Sequence, residues 1–241
     1  LVKQKFIHRT DKLLSIWADG HELVCTPEHR LFSINQNGIA EISASKIGVG
    51  DYVAGVQHIK FKGEKQIDRP EIWRLMGYIL GDGVINERFR GAKIYDKDRS
   101  FLEFYQKLFL KYFRKIPFLR ERNTNSFELI FYSVELVKYL RRFMPKAVSK
   151  DKRIPLRLFG ATKKEIIQFL AGIYDAEGNS GIIKMFSSSK ELLKDIQILF
   201  LRLNINSHLY KRFRKVKLPQ GKIIDHTIYS LQITERESQK R

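Results

Sequence analysis

The chain has 241 residues, 43% of them apolar, a single cysteine and a formal net charge of +19. That apolar content can fill a core and excludes global disorder, while the lone Cys25 excludes internal disulfides and no Cys/His cluster has zinc spacing. No apolar run approaches a membrane span and the N-terminus lacks a signal-peptide pattern, so a cytoplasmic protein without a membrane partner is expected.

The charge is uneven. Residues 1–60 hold seven of the 45 Lys/Arg and six of the 26 Asp/Glu, a net of +1, and the remaining 38 and 20 leave +18 on the rest. A surplus placed so unequally points to a polyanion partner for the larger part, where displaced counterions drive binding.

In chain order, residues 1–60 read as short strands and turns. Leu13–Trp17 and Glu22–Cys25 flank Asp19-Gly20, and Leu31–Ile34 and Ile39–Ile42 flank Asn37-Gly38, both hairpin dipeptides. Four short strands with such frequent turns suggest a small β-rich module. The polar stretch at 61–69 reads as a linker, and Pro70 sits where a first helical residue would.

From Pro70 the chain repeats itself, giving expected halves at 70–160 and 161–241. Helix Glu71–Leu80 ends in Gly81-Asp82-Gly83, and helix Thr162–Asp175 ends in Ala176-Glu177-Gly178. Thr162 followed by Glu165 forms a capping box that fixes the second start. A short strand follows each ending, Ala92–Tyr95 or Ile182–Phe186, then an amphipathic helix, Arg99–Arg114 or Lys190–Asn204. Basic, aromatic strands close each copy: Phe118–Arg122 and Phe127–Tyr132, then His208–Val216 and Ile228–Ile233. Both copies thus read α-β-α-β-β. The first continues into helix Val134–Phe143, while the second leaves only 234–241 for that final helix, which is expected to be incomplete.

Two nonapeptides carry the chemistry, L-M-G-Y-I-L-G-D-G at 75–83 and L-A-G-I-Y-D-A-E-G at 170–178. Gly77/Gly81 and Gly172/Ala176 fall four apart on one helix face, a spacing that lets two backbones approach closely. Packing on that face would bring the two C-terminal ends, and so Asp82 and Glu177, together. Carboxylates there are disfavoured by the helix dipole and by each other, unless divalent cations neutralise them. Mg²⁺ (or Mn²⁺) takes carboxylate, carbonyl, water and phosphate oxygens, so the carbonyls of Gly81 and Ala176 are further candidate ligands.

The paired nonapeptides resemble the doubled signature of the LAGLIDADG homing endonucleases, a resemblance that covers the chain from about Pro70 onward. It implies an α+β fold of two αββαββα halves related by a pseudo-twofold axis. The signature helices would form the interface, and two saddle-shaped antiparallel sheets would lie over double-stranded DNA. It implies a monomer acting as a pseudo-dimer, with Asp82 and Glu177 holding the metals and cleavage across the minor groove leaving short 3′ overhangs. One strand per half is missing from the α-β-α-β-β reading, and residues 84–90 and 222–227 are the places for it.

The resemblance extends to basic residues. Lys152-Arg153-Ile154-Pro155 looks like the Lys-x-Ile-Pro element preceding the second signature in intein-borne members, which makes Lys152 the candidate catalytic lysine. Lys97, after the strand that follows the first motif, is a second candidate, although its counterpart falls near Ser188. On the strand 207–216, Tyr210, Arg212 and Arg214 alternate with Lys211, Phe213 and Lys215. With Arg88, Arg90, Lys93, Arg120, Arg122 and Lys184 they make up the candidate DNA contacts, arginines suited to guanine edges and lysines to phosphates.

The segment from Leu23 to Val53 resembles part of an intein splicing (Hint-like) domain, with Thr26 and His29 in a Thr-x-x-His element that would polarise a scissile amide. Splicing also needs an N-terminal Cys or Ser and a terminal His-Asn. The chain runs from Leu1 to Arg241 and Cys25 lies within a strand, so it is expected not to splice as it stands and to be an excerpt of a larger intein or a relic. Two rival functions remain at this stage: a non-cleaving DNA or RNA binder on the same scaffold, such as a maturase or regulator, and a degenerate splicing element.

Overall fold

A computed structural model describes residues 9–36, 38–60, 65–86, 88, 90–122, 125–144, 149–177, 183–217, 221 and 223–233. The chain divides into two compact units, residues 1–57 and 58–241.

The first unit contains two hairpins. Strand β1 (Leu14–Ala18) pairs antiparallel with β2 (His21–Cys25), and Asp19 and Gly20 take φ of 48° and 72° between them. Left-handed backbone at both loop positions matches the twist of the flanking strands, which is why Asp-Gly closes this hairpin. Strand β3 (Arg30–Asn35) pairs with β4 (Gly38–Ser43), with Asn37 outside the described residues. Val53 bridges to Ser33, and the Ala54 N–H donates to the Phe32 carbonyl. Thr26 and His29 meet through the backbone, the His29 N–H donating to the Thr26 carbonyl across a turn, with the His29 side chain exposed.

The second unit holds the main core. Helix α1 (Pro70–Asp82) starts with Pro at its first position, where the missing N–H costs nothing. It is followed by β5 (Val84–Asn86), β6 (Gly91–Asp96), α2 (Arg99–Phe113), β7 (Phe118–Arg122), β8 (Ser126–Tyr132) and α3 (Val134–Phe143). The four strands form one antiparallel sheet in the order β5-β6-β8-β7. The first half therefore has the full αββαββα order, and β5 supplies a strand at 84–90 that the turn-rich sequence concealed.

The second half runs through α4 (Lys163–Glu177), β9 (Lys184–Ser187), α5 (Lys190–Arg202), β10 (His208–Lys217) and β11 (Ile223–Gln232), with sheet order β10-β11-β9. One expectation is corrected here. Residues 223–227 are an unrecognised part of the strand read at Ile228–Ile233 and not a separate one, because Ile223 onward belongs to β11 itself, paired with β10 as far as Lys217↔Ile223. The long hairpin reaches past the core, so its outer part shows no apolar alternation to read. Gly178, Ile182 and the expected final helix at 234–241 lie outside the described residues.

Both halves share one core. Trp73, Leu75, Met76 and Ile79 of α1 pack with Ile166, Phe169 and Ile173 of α4, and the sheets add Ala92, Ile94, Leu129 and Phe131 on one side and Met185, Leu209 and Leu231 on the other. Glu165, fully buried, ties the two helix starts together. Its Oε1 accepts from the Ile67 and Asp68 N–H groups and from Trp73 Nε1, and its Oε2 accepts from the Thr162 N–H and hydroxyl. Burial alone would raise its pKa, but these hydrogen bonds outweigh burial and hold it below the usual glutamate range. The described part of the stretch read as a linker is thereby pinned, and the Lys65 N–H also donates to the Gly160 carbonyl. No helix of the described residues is long and apolar enough to cross a membrane.

Candidate functional site

The site is built by a close approach of α1 and α4. A Cβ added to Gly77 would lie 2.2 Å from the Phe169 carbonyl oxygen, and one added to Gly172 would lie 2.0 Å from that of Arg74. At Gly81 it would meet the Ala176 Cβ at 2.7 Å and the Glu177 Cγ at 3.4 Å. Each helix thus presses backbone against backbone where only glycine leaves room. Because the contact runs on to Gly81 and Ala176, the two C-terminal ends arrive side by side. Asp82 ends α1 and Glu177 ends α4.

Both acids are raised above their ordinary range. The Glu177 carboxyl, half-buried, is pushed up to about 7, first by burial and then by the Asp82 charge, with Lys152 opposing both. Asp82 is raised too, mainly by burial of its carboxyl and further by Asp96, and again Lys152 opposes. Burial draws the Lys152 ammonium down from the usual lysine value, although both carboxylates favour its charged form. One cation therefore serves two anions.

Lys152 is held there by its neighbours. Its Nζ donates to the Gly81 carbonyl at 2.6 Å, and its own carbonyl accepts from the Ser189 hydroxyl at 2.7 Å. The next residue, Arg153, grips Asp195 with Nε and Nη2, each at 2.7 Å, and buried Ile154 donates its N–H to the same carboxylate. Asp195 is itself buried on α5, so the Lys-x-Ile-Pro segment is anchored to the second half while Lys152 reaches into the first. Lys97 stands exposed in the bend after β6 and has no hydrogen bond or ion pair to either acid among the described residues.

Asp96, at the end of β6, is a residue that sequence reading missed. It accepts from the Tyr78 hydroxyl at 3.0 Å and the Asp98 N–H at 2.8 Å, and its charge acts on Asp82. Asp-x-Asp before a helix reads as a cap, which concealed its nearness to the site. In the other half Ser187 takes the same place, its Oγ accepting from the Ser189 N–H at 3.0 Å. Behind the site, Asp175 accepts from Arg74 Nε at 2.8 Å and the Tyr105 hydroxyl at 2.6 Å.

The donor set fits a hard divalent cation. Among the described residues no group of three or more His, Cys, Asp or Glu could cage a metal. Two carboxylates and helix-end carbonyls suit Mg²⁺, which binds through one or two carboxylates and keeps waters or phosphate oxygens for the rest. The Gly81 carbonyl already accepts from Lys152, so a metal would use its second lone pair or displace the lysine.

The remaining sequence candidates distribute by face. Arg88 and Arg90 are exposed in the β5–β6 turn, Arg90 with φ of 50°. Lys93, Arg120 and Arg122 share the open face of the first sheet, and Lys184, Tyr210, Arg212 and Arg214 that of the second. Lys211 and Lys215 point to the opposite face, exposed where β10 outruns the core.

A family model described as LAGLIDADG-like domain matches residues 69–144 and 164–241, and the chain belongs to this family. It is 29% identical over 205 residues to the ATP-dependent DNA helicase Hel308 of Methanocaldococcus jannaschii, covering 82% of this chain and 17% of that protein. It is 30% identical over 152 residues to the glutamine–fructose-6-phosphate aminotransferase of the same organism, covering 61% of this chain and 14% of that protein. The chain spans less than a fifth of the length of these two relatives. Among solved structures, mesophilic variants of the homing endonuclease I-DmoI match at 17% identity and a TM-score of 0.51, over 71% of this chain and 92% of that one. I-DmoI in complex with DNA and Ca matches at 18% identity and a TM-score of 0.50, over 71% of this chain and 86% of that one.

Proposed function

We propose that this LAGLIDADG-family chain is a metal-dependent endonuclease that makes double-strand breaks at specific DNA sites, acts as a monomer and is carried by an intein. The observation that carries the reading is the pair of helix-end carboxylates brought together by glycine contacts, with one lysine placed to neutralise both. A protein that only bound DNA would gain nothing from two acids facing phosphates. Asp82 and Glu177 would hold Mg²⁺ or Mn²⁺, which when bound supplies an activated water and charge for the leaving oxygen. Lys152 positions its ammonium beside both acids, suited to stabilise charge developing on a phosphate, and Asp96 with Tyr78 orients the first half of the site.

Intein carriage draws support from the unrelated printed activities of the relatives. A helicase, an aminotransferase and an RNA polymerase subunit share with this chain a stretch of only 17%, 14% and 26% of their lengths. What they have in common must be something other than their own reactions, as a mobile element within each would be. The Thr26–His29 turn in the two-hairpin first unit is compatible with a remnant of a splicing module.

The test is incubation with supercoiled DNA bearing the uninterrupted host allele, with and without Mg²⁺ or Mn²⁺. Metal-dependent linear product is expected. Tight DNA binding with neither nicking nor linearisation in either metal would leave a binder on the same scaffold.

A further inference from the structure

The two sheets can be superposed position by position from their pairing. Asp96 faces Phe127 in the first half and Ser187 faces Tyr229 in the second, and Asp98 and Ser189, two residues on in each, both cap the following helix. On that register Lys93 corresponds to Lys184, Glu128 to Ser230, Arg120 to Tyr210 and Arg122 to Arg212. All lie on the face opposite the one carrying Ala92, Ile94, Leu129 and Phe131, or Met185, Leu209 and Leu231, which belong to the hydrophobic core.

The chemistry at these matching positions differs. Glu128 is only 3% exposed, and its Oε1 stands 2.6 Å from Arg120 Nε and 3.7 Å from Lys93 Nζ. It thereby takes up charge from two of the three cations on the first sheet, while the third, Arg122, stacks over the Tyr95 ring. Val84, Phe118 and Tyr132 on the same face are exposed. In the second sheet the position of Glu128 is the small neutral Ser230, and among the described residues no carboxylate shares a face or an ion pair with Arg212 or Arg214.

We infer that DNA recognition is polarised between the halves, the second sheet supplying most of the electrostatic grip and the first, with two of its three cations paired to Glu128, contributing mainly apolar contacts and base-edge contacts. This rests on the endonuclease reading only in requiring that the open faces meet DNA. Lys184, Arg212 and Arg214 can each exchange counterions for a phosphate. Lys93 and Arg120 already share an internal counterion that stays when DNA arrives, so they release less salt. An arginine paired with a buried carboxylate also has less freedom to lose on meeting a base edge, and the exposed apolar side chains beside it match thymine methyl groups.

The experiment measures affinity of the full chain for a mixed-sequence duplex, without divalent metal, across a salt series. Each lost phosphate contact should flatten the slope of log affinity against log salt by about 0.9. Arg212→Gln and Arg214→Gln should each show that flattening with a several-fold affinity loss. Arg120→Gln should show less than half of it. Glu128→Gln, which keeps the shape and removes the charge, should steepen the slope and raise affinity several-fold. Equal flattening by Arg120→Gln and Arg212→Gln would overturn the inference, and so would a Glu128→Gln protein that melts like the wild type with an unchanged slope. If Glu128→Gln fails to fold, the arginine pair still decides. A wild-type chain with no salt-dependent DNA affinity would instead remove the endonuclease reading.

Discussion

The first half ends its central helix in Asp82 and the second in Glu177, yet the contacts that place them are nearly interchangeable. Gly77 meets the Phe169 carbonyl as Gly172 meets that of Arg74, and Asp98 caps α2 as Ser189 caps α5. Where the backbone sets the demand, the halves agree. At the candidate site and on the open sheet face the side chains diverge: Asp96 against Ser187, Glu128 against Ser230, and a single Lys152 serving both ends. Symmetry here belongs to the scaffold and asymmetry to the chemistry, so equivalent substitutions in the two halves separate the two kinds of demand.

The largest effect should come from the acids. Asp82→Asn and Glu177→Gln should each lower metal-dependent cleavage by more than the roughly 10–100-fold that loss of a metal's outer partners costs, with DNA binding retained. Single-turnover cleavage and binding assays on each variant check this. Wild-type cutting by either would show that one half suffices.

Lys152→Met sharpens the comparison, because the lysine faces both acids. Cleavage of both strands should slow, on the order of 10²-fold for a lost preorganised charge. A nicked product accumulating from one strand alone would mean that Lys152 serves one half only.

The glycines test the scaffold. Gly→Ala in an isolated helix gains about 1 kcal/mol, but here the added Cβ meets backbone oxygen. Gly77→Leu and Gly172→Leu should each cost at least the upper end of the roughly 1–3 kcal/mol typical of overpacking, Gly172→Leu the more. Thermal melts decide it, and unchanged melting in both would deny the close approach.

The smallest effect is a pH dependence. Glu177 has a folded pKa of about 7 against an ordinary 4.5, so the native protein holds a proton that the unfolded chain has released. Its contribution to stability is complete below about 4.5 and is lost as pH rises through about 7. The raised Asp82 adds in the same direction. Metal-free melting temperature should therefore fall across that window, less so in Glu177→Gln, and saturating Ca²⁺ should abolish the fall. A flat metal-free profile would mean that Glu177 is not buried against Asp82.

Much of this site was legible in the chain. Small residues four apart, a Thr162–Glu165 cap and a Lys-Arg-Ile-Pro segment are local patterns, and the structure has Gly77 and Gly172 at the helix contact, Glu165 accepting from the Thr162 N–H and Lys152 donating to the Gly81 carbonyl. What was illegible depended on partners distant in sequence. Asp96 reads as a helix cap until Tyr78 and Asp82 are seen beside it. Glu128 reads as one polar residue in an apolar strand until the register sets Arg120 opposite. The full length of β11 and the strand β5 were hidden because short or two-sided polar strands lack the alternation that marks a half-buried one.

Glu165 has a consequence for how the molecule is made. Its carboxylate caps the entry to α1 from 97 residues further along the chain. As the polypeptide emerges during synthesis, the first half leaves the ribosome with the Ile67 and Asp68 amides and the Trp73 indole unpaired, and with Gly77 bare of its neighbour. Closing so long a loop is slow relative to local helix formation. The first half alone therefore lacks the partners of its own helix start, and the contacts that complete α1 and bring Asp82 beside Glu177 can form only once α4 has been made.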